Sequence, residues 1–164
     1  MRKAFLSLAL LALCGTASAQ TDSTQVLIDR AEIEELVVRY VTALDTLDDE
    51  LFASVFTEDA VYDVTGTVYR GRAQIRSIVT ELQQSRARSL TAGIYPPALY
   101  HVMSNTSIEL VSSTEARHTS YAQTVRAMQG GEFIVGFMGR YEDVIVKRDG
   151  RWQIQSRKLV SFVR

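Results

Sequence analysis

Asp45 stands at the end of an apolar run with helical spacing, "RYVTALD", just before the chain turns polar. With Ile33 at zero on a helical wheel, Asp45 falls at about 120°, between Val41 at about 80° and Val38 at about 140°. A carboxylate on the flank of an apolar stripe must find hydrogen-bond donors or shift its pKa. Two arrangements fit: a helix end bonded to water and backbone N–H groups, or an acid aimed into a cavity. His101 is the second candidate. Side chains alternate along a strand, so Leu99, His101, Met103, Asn105 and Ser107 share a face. An imidazole among apolar neighbours is either a hydrogen-bonded core group or the natural proton acceptor near neutral pH.

The other histidine, His118, is too far away to share a metal with His101. A turn near residue 112 or 113 pairs His118 with residue 107 or 108. That is about six residues along the strand from His101, roughly 20 Å at ~3.3 Å per residue. No third ligand cluster accompanies them. No metal or other cofactor is expected, and His118 is expected to face solvent or a subunit partner. In "GRYED", Tyr141 and Asp143 lie on one face and Arg140 on the other. Facing inward, the first two would line or support a cavity; otherwise the stretch is an ordinary strand with a salt-bridged arginine. Phe56, Tyr62, Phe133, Phe137 and Trp152 read as core or cavity wall, with the Tyr62 hydroxyl able to reach the cavity. There is no phosphate-cradling glycine loop, no Ser-His-Asp order and no cysteine nucleophile.

The elements that must position these groups come next. The start, "MRKAFLSLALLALCGTASAQ", has Arg2 and Lys3, an apolar stretch from Ala4 to Cys14, and small residues at 17–19. This is the pattern of a secretory signal cut after Ala19, and the stretch is shorter than the ~20 residues of a membrane span. Cys14 follows Leu13, where lipoprotein processing wants a small residue. After cleavage the chain has no cysteine and its core alone must hold it. Without Arg2 and Lys3, 16 basic side chains face 19 acidic ones. No basic patch stands out, which argues against a nucleic-acid partner.

Residues 20–25 are polar and expected to be loose. From Val26 to Thr46, Ile33, Val37, Tyr40, Leu44 and Leu47 recur at helical spacing. Asp48 suits the N-cap of a short second helix, "DELFASVF". "TEDAVYDVTGTVYRG" reads as two strands around Gly66, and "RAQIRSIVTELQQ" as a third helix. Residues 85–98, with Gly93, Pro96 and Pro97, read as a loop. Four long strands follow with short turns between them, which predicts antiparallel pairing and a single α+β domain over residues 26–164.

The segments "IEELVVRYVTALDTLDDELFASVFTEDAVYDV", "YRGRAQI", "YHVMSNTSIEL" and "GRYEDVIVKRDGRWQIQSRKLV" resemble the SnoaL-like branch of the nuclear-transport-factor-2-like (NTF2-like) superfamily. The resemblance covers essentially the whole chain after the signal. It implies a cone: a curved antiparallel sheet wrapped around three N-terminal helices, with a deep pocket between them. The fold hosts dehydratases, isomerases, cyclases, epoxide hydrolases and proteins without catalysis, so it does not by itself give an activity.

Residue by residue, Tyr40 and Asp45 match the tyrosine and aspartate of the scytalone-dehydratase and bile-acid-dehydratase type. A histidine stands at the place of His101, with His-x-x-x-Asn spacing to Asn105. The resemblance implies a His–Asp pair whose carboxylate orients the ring, and it places Arg157 as a pocket arginine for a carboxylate or oxyanion. The implied function is an exported, cofactor-free lyase or isomerase acting on a small apolar ring compound. His101 would remove a proton, and Tyr40 or Tyr62 would hold the oxyanion. Phe56, Asn105, Tyr141 and Arg157 would surround the substrate. The alternative is a non-catalytic periplasmic protein that holds a small hydrophobic ligand in the same pocket. Members of the superfamily self-associate through the open face of the sheet, which implies a homodimer or homotrimer.

Overall fold

The computed structural model describes residues 14–162, with side chains from residue 22 onward. The expected signal therefore falls largely outside the described residues. Helix α1 (Cys14–Thr46) leads to a short α2 (Asp49–Ser54). Strands β1 (Phe56–Val64) and β2 (Thr67–Arg70) precede α3 (Arg72–Thr91). Four long strands complete the chain: β3 (Ala98–Leu110), β4 (Glu115–Ala127), β5 (Phe133–Arg148) and β6 (Arg151–Ser161).

The six strands form one sheet in the order β2-β1-β6-β5-β4-β3. Strands β3 to β6 are an antiparallel meander, as the short turns predicted. Strand β1 instead lies parallel to β6, with Tyr62 opposite Arg157. The stripe Ile33, Leu36, Tyr40, Ala43 and Leu44 of α1 is buried against the inner sheet face, where Ala116, Ala122, Tyr141, Ile145 and Ile154 are also buried. Phe52, Val55 and Phe56 pack beside it. The buried carboxylate of Asp29 also ties α1 to the sheet. It accepts from Lys147 Nζ at 2.7 Å and Trp152 Nε1 at 3.1 Å. Burial would raise its pKa, but these donors hold it below the ordinary carboxylate range.

Helix α1 ends at Thr46, just past Asp45, and the residue that turns the chain is a leucine. Leu47 has φ 55°. Its N–H reaches Leu44 O, and the Asp48 N–H reaches Ala43 O at 2.9 Å. That is the hydrogen-bond pattern in which glycine usually supplies the left-handed residue. Gln83 Nε2 on α3 donates to Leu47 O at 2.6 Å and holds the turn. Asp48 caps α2 by accepting from the Leu51 N–H.

Three expectations are corrected. Residues 20–25 are helical rather than loose, as part of α1, although residues 22–28 are exposed. Helix α3 runs seven residues beyond Gln84. "SRARSLT" contains no helix breaker, and the stop comes only at Gly93, φ 74°, where the Ile94 N–H reaches Ser89 O. Phe133, expected in the core, is 73% exposed at the start of β5.

Candidate active site

Asp45 lies in the last turn of α1, and His101 lies near the start of β3 on the inner face of the sheet. The structure brings them together across 56 residues. Asp45 Oδ1 lies 2.7 Å from His101 Nδ1 and accepts the His101 backbone N–H at 2.9 Å. Two donors thus converge on one carboxylate oxygen at a helix C-terminus, where the helix dipole by itself disfavours an anion. An ionised Asp45 fixes the proton of a neutral ring on Nδ1, leaving Nε2 as the acceptor. Both side chains are partly accessible, 22% for Asp45 and 15% for His101.

They line a cleft of about 480 Å³ between the end of α1, the second half of α3 and the start of β3. Leu44, Leu47, Leu82, Pro96 and Leu99 supply apolar wall, and Ser85, Arg86 and Ser89 of α3 supply polar wall. This volume lies within the usual range for small-molecule sites. Ser85, Arg86 and Ser89 are absent from the sequence-based site because residues 85–98 read as a loop, and Leu47 because it read as part of the apolar stripe of the first helix. The signal that could have found Arg86 and Ser89 is the spacing 75-79-82-86-89, which leads from the buried Ile75 and Val79 to the accessible cleft wall.

Tyr40, Tyr62, Tyr141 and Arg157 do not line this cleft. They form a packed, buried polar cluster against the inner face of the sheet. A row on the inner face runs across five strands, Ile108–His118–Asp143–Arg157–Tyr62. Asp143 accepts from Arg157 Nε at 2.8 Å and Arg157 Nη2 at 2.7 Å, and the oxygen that takes Nη2 also lies 2.6 Å from His118 Nδ1. The Arg157 guanidinium sits 3.8 Å from the Tyr40 ring centroid and 4.3 Å from that of Tyr141. The Tyr40 hydroxyl bridges Tyr62 at 2.8 Å and Tyr141 at 3.1 Å. Burial, with the neighbouring tyrosines, pushes the Tyr62 and Tyr141 hydroxyls well above their ordinary pKa, against the pull of Arg157. Burial alone would also raise Asp143, but Arg157 and His118 overcome it and hold that carboxyl below its usual range. Among the described residues, His118 Nε2, Ser120 Oγ and Arg157 Nη1 are buried without a hydrogen-bond partner.

His118 is therefore corrected from a solvent-facing or partner-facing residue to a fully buried one. Tyr141 and Asp143 face inward, while Arg140 on the outer face pairs with Glu142. The expected convergence of Tyr40 and Tyr62 with His101 is not what the structure shows, because their hydroxyls are spent on one another. Phe56 is buried among the Phe52, Tyr40 and Tyr62 rings. Asn105 is exposed, with φ 50°, at a register shift between Ser104 and Ser107. The bulge breaks the alternation that put it on the face of His101. His118 pairs with Ile108, as expected, which keeps the two histidines apart. Among the described residues no three His, Cys, Asp or Glu side chains cluster as a metal site would need.

Residues 25–158 match the family described as the SnoaL-like domain. The chain is 29% identical over 140 residues to the terrestric acid biosynthesis cluster protein E of Penicillium crustosum, covering 80% of this chain and 82% of that one. An NTF2-like protein with a cystatin-like fold from Novosphingobium aromaticivorans superposes with a TM-score of 0.78 at 20% identity, over 92% of each chain. A putative scytalone dehydratase from the same organism superposes with a TM-score of 0.70 at 24% identity, over 86% of this chain and 89% of that one. The fold is the NTF2-like α+β cone.

Proposed function

The chain belongs to the SnoaL-like domain family, and we propose that it is a cofactor-free acid–base lyase or isomerase, dehydratase-like, acting on a small and largely apolar ring compound. One observation carries this reading: the 2.7 Å contact of His101 with Asp45 inside a ligand-sized cleft. Asp45 orients the ring and stabilises its protonated form, and Nε2 is the base. In an elimination, Nε2 takes a proton from a carbon next to a carbonyl. The C–H electron pair becomes the C=C bond and the neighbouring C–O bond breaks. The imidazolium then gives its proton to the departing hydroxide, so water leaves and the histidine is restored. The leucine and proline wall would hold the ring.

His101→Ala is expected to lower kcat by about 10²–10⁴-fold, and Asp45→Asn by a smaller factor in the same direction, with ligand affinity little changed. Turnover of a panel of hydroxylated cyclic ketones, followed by mass spectrometry, is the measurement. Undiminished turnover in His101→Ala would exclude the assignment.

A second reading is a binding protein that holds a small hydrophobic ligand in this cleft. The observation favouring it is that Tyr40 and Tyr62, the expected oxyanion donors, are shut away from His101. Under that reading the same substitutions weaken binding, and no turnover accompanies the wild-type protein. Export through a signal cut after Ala19 belongs to the same proposal and is supported by the sequence pattern. N-terminal sequencing of the secreted protein tests it. Self-association through the outer sheet face also belongs here, supported by the apolar residues exposed on it.

A further inference from the structure

Helix α3 turns one continuous stripe toward the body of the protein. Ile75 and Val79 are fully buried; Leu82, 42% exposed, an exposed Arg86 and a half-buried Ser89 follow at the same three- and four-residue spacing, beyond the packed part of the helix. Leu82, Ser85, Arg86 and Ser89 all line the cleft. The stripe thus changes from apolar to polar where it faces His101 and Asp45. Arg86 is itself exposed, with its side chain on the wall of the cleft.

Its charge is free. Among the described residues, every ion pair that includes an arginine uses Arg72, Arg76, Arg140, Arg148 or Arg157. Arg86 has no such partner. The one acid that lines the cleft, Asp45, is already occupied by the His101 ring and backbone. Arg86 is therefore the single uncompensated charge among the described residues of the wall.

We infer that the cleft selects ring compounds bearing a carboxylate, and that Arg86 binds it from the α3 side while the ring lies against the leucines, within reach of His101. This rests on the proposed function for the place of the site, but its binding test does not require turnover. A planar guanidinium holds a carboxylate through two parallel hydrogen bonds, and Ser85 and Ser89, beside it on the same wall, supply further donors.

The probes are 2-naphthoate and its neutral counterpart 2-naphthamide. Their dissociation constants are measured by calorimetry at low salt, and occupancy of the cleft by NMR of the His101 ring. The wild type is expected to bind naphthoate about tenfold or more tightly than naphthamide, the effect of one good charge-assisted contact. Arg86→Gln is expected to erase the preference by weakening naphthoate alone, and Arg86→Lys to keep part of it. Equal affinities in the wild type, or a preference that survives Arg86→Gln, would overturn the inference. His101→Ala that retains the preference but loses turnover leaves both readings standing. A retained preference with undiminished turnover removes the catalytic assignment only. If neither probe shifts the His101 signals, the inference about the carboxylate is overturned, and the catalytic assignment is decided by turnover in His101→Ala alone.

Discussion

Asp143 is the residue on which the interior charge depends. Among the described residues it is the only carboxylate bonded to Arg157, and both side chains have no solvent exposure. Removing one member of such a pair leaves the other charged and buried, which typically costs about 3–5 kcal/mol. Asp143→Asn is expected to lose roughly that much in urea unfolding at neutral pH; a loss below about 1 kcal/mol would contradict the pairing. The pH dependence follows from the direction of the shift. The folded pKa of Asp143 lies below the ordinary value, so its contribution is fully present above about pH 4. It is lost as pH falls through the lower folded value. The substitution should therefore flatten the acid limb of the stability curve. This row was only half legible in the sequence. Alternation put Tyr141 and Asp143 on one face, but nothing said which. His118, between Arg117 and Thr119, carries no apolar pattern, because its burial is made acceptable by a partner charge rather than by hydrophobicity. Asp45 and His101 stood out by residue type beside apolar runs, but the pattern left each open between a structural and a chemical part, and only the family resemblance implied that they pair.

Among the elements, β5 makes the tightest demand. Its Gly139 lies opposite Ala122 on β4 and Ser161 on β6. A Cβ there would sit 2.4 Å from Val160 O and 2.7 Å from Phe137 Cζ. By register, Phe137 belongs to the row of His101, whereas Tyr141 belongs to the buried cluster around Arg157. Gly139→Ala is expected to cost about 1–3 kcal/mol through overpacking, read from the urea midpoint; unchanged stability would mean that β5 and β6 separate more easily than this contact allows. Helix and strand types were legible from periodicity. The length of α3 was not, because Pro96 and Pro97 marked the whole stretch as a loop and hid the unbroken run of helix formers that ends at Gly93. The end of α1 at Thr46 was legible in the helical pattern, but the left-handed Leu47 that turns the chain was not, since a contact from Gln83 rather than residue type holds it.

At the scale of the molecule, the sheet leaves an apolar face outward. Tyr100, Val125 and Val135 share one row, and Val102, Gln123 and Met138 the next. Tyr100 is 48% exposed and Val135 60%. Contiguous exposed residues of this kind mark association surfaces. Sedimentation should give the mass of a dimer or trimer, and Val135→Lys should shift it toward monomer; a monomeric wild type would remove the proposal of self-association. Parallel pairing of β1 with β6 was invisible in the sequence, because no tight turn fixes it. That pairing has a temporal consequence. β6 is synthesised after the other five strands, yet it alone joins the β1–β2 ribbon to the meander. While the ribosome is still making β5, Tyr62 has no neighbour in Arg157, and the two halves of the sheet cannot be zipped together. Closure of the six-stranded sheet must wait for β6, the last of its strands to be made, so until then the ribbon and the meander stay apart.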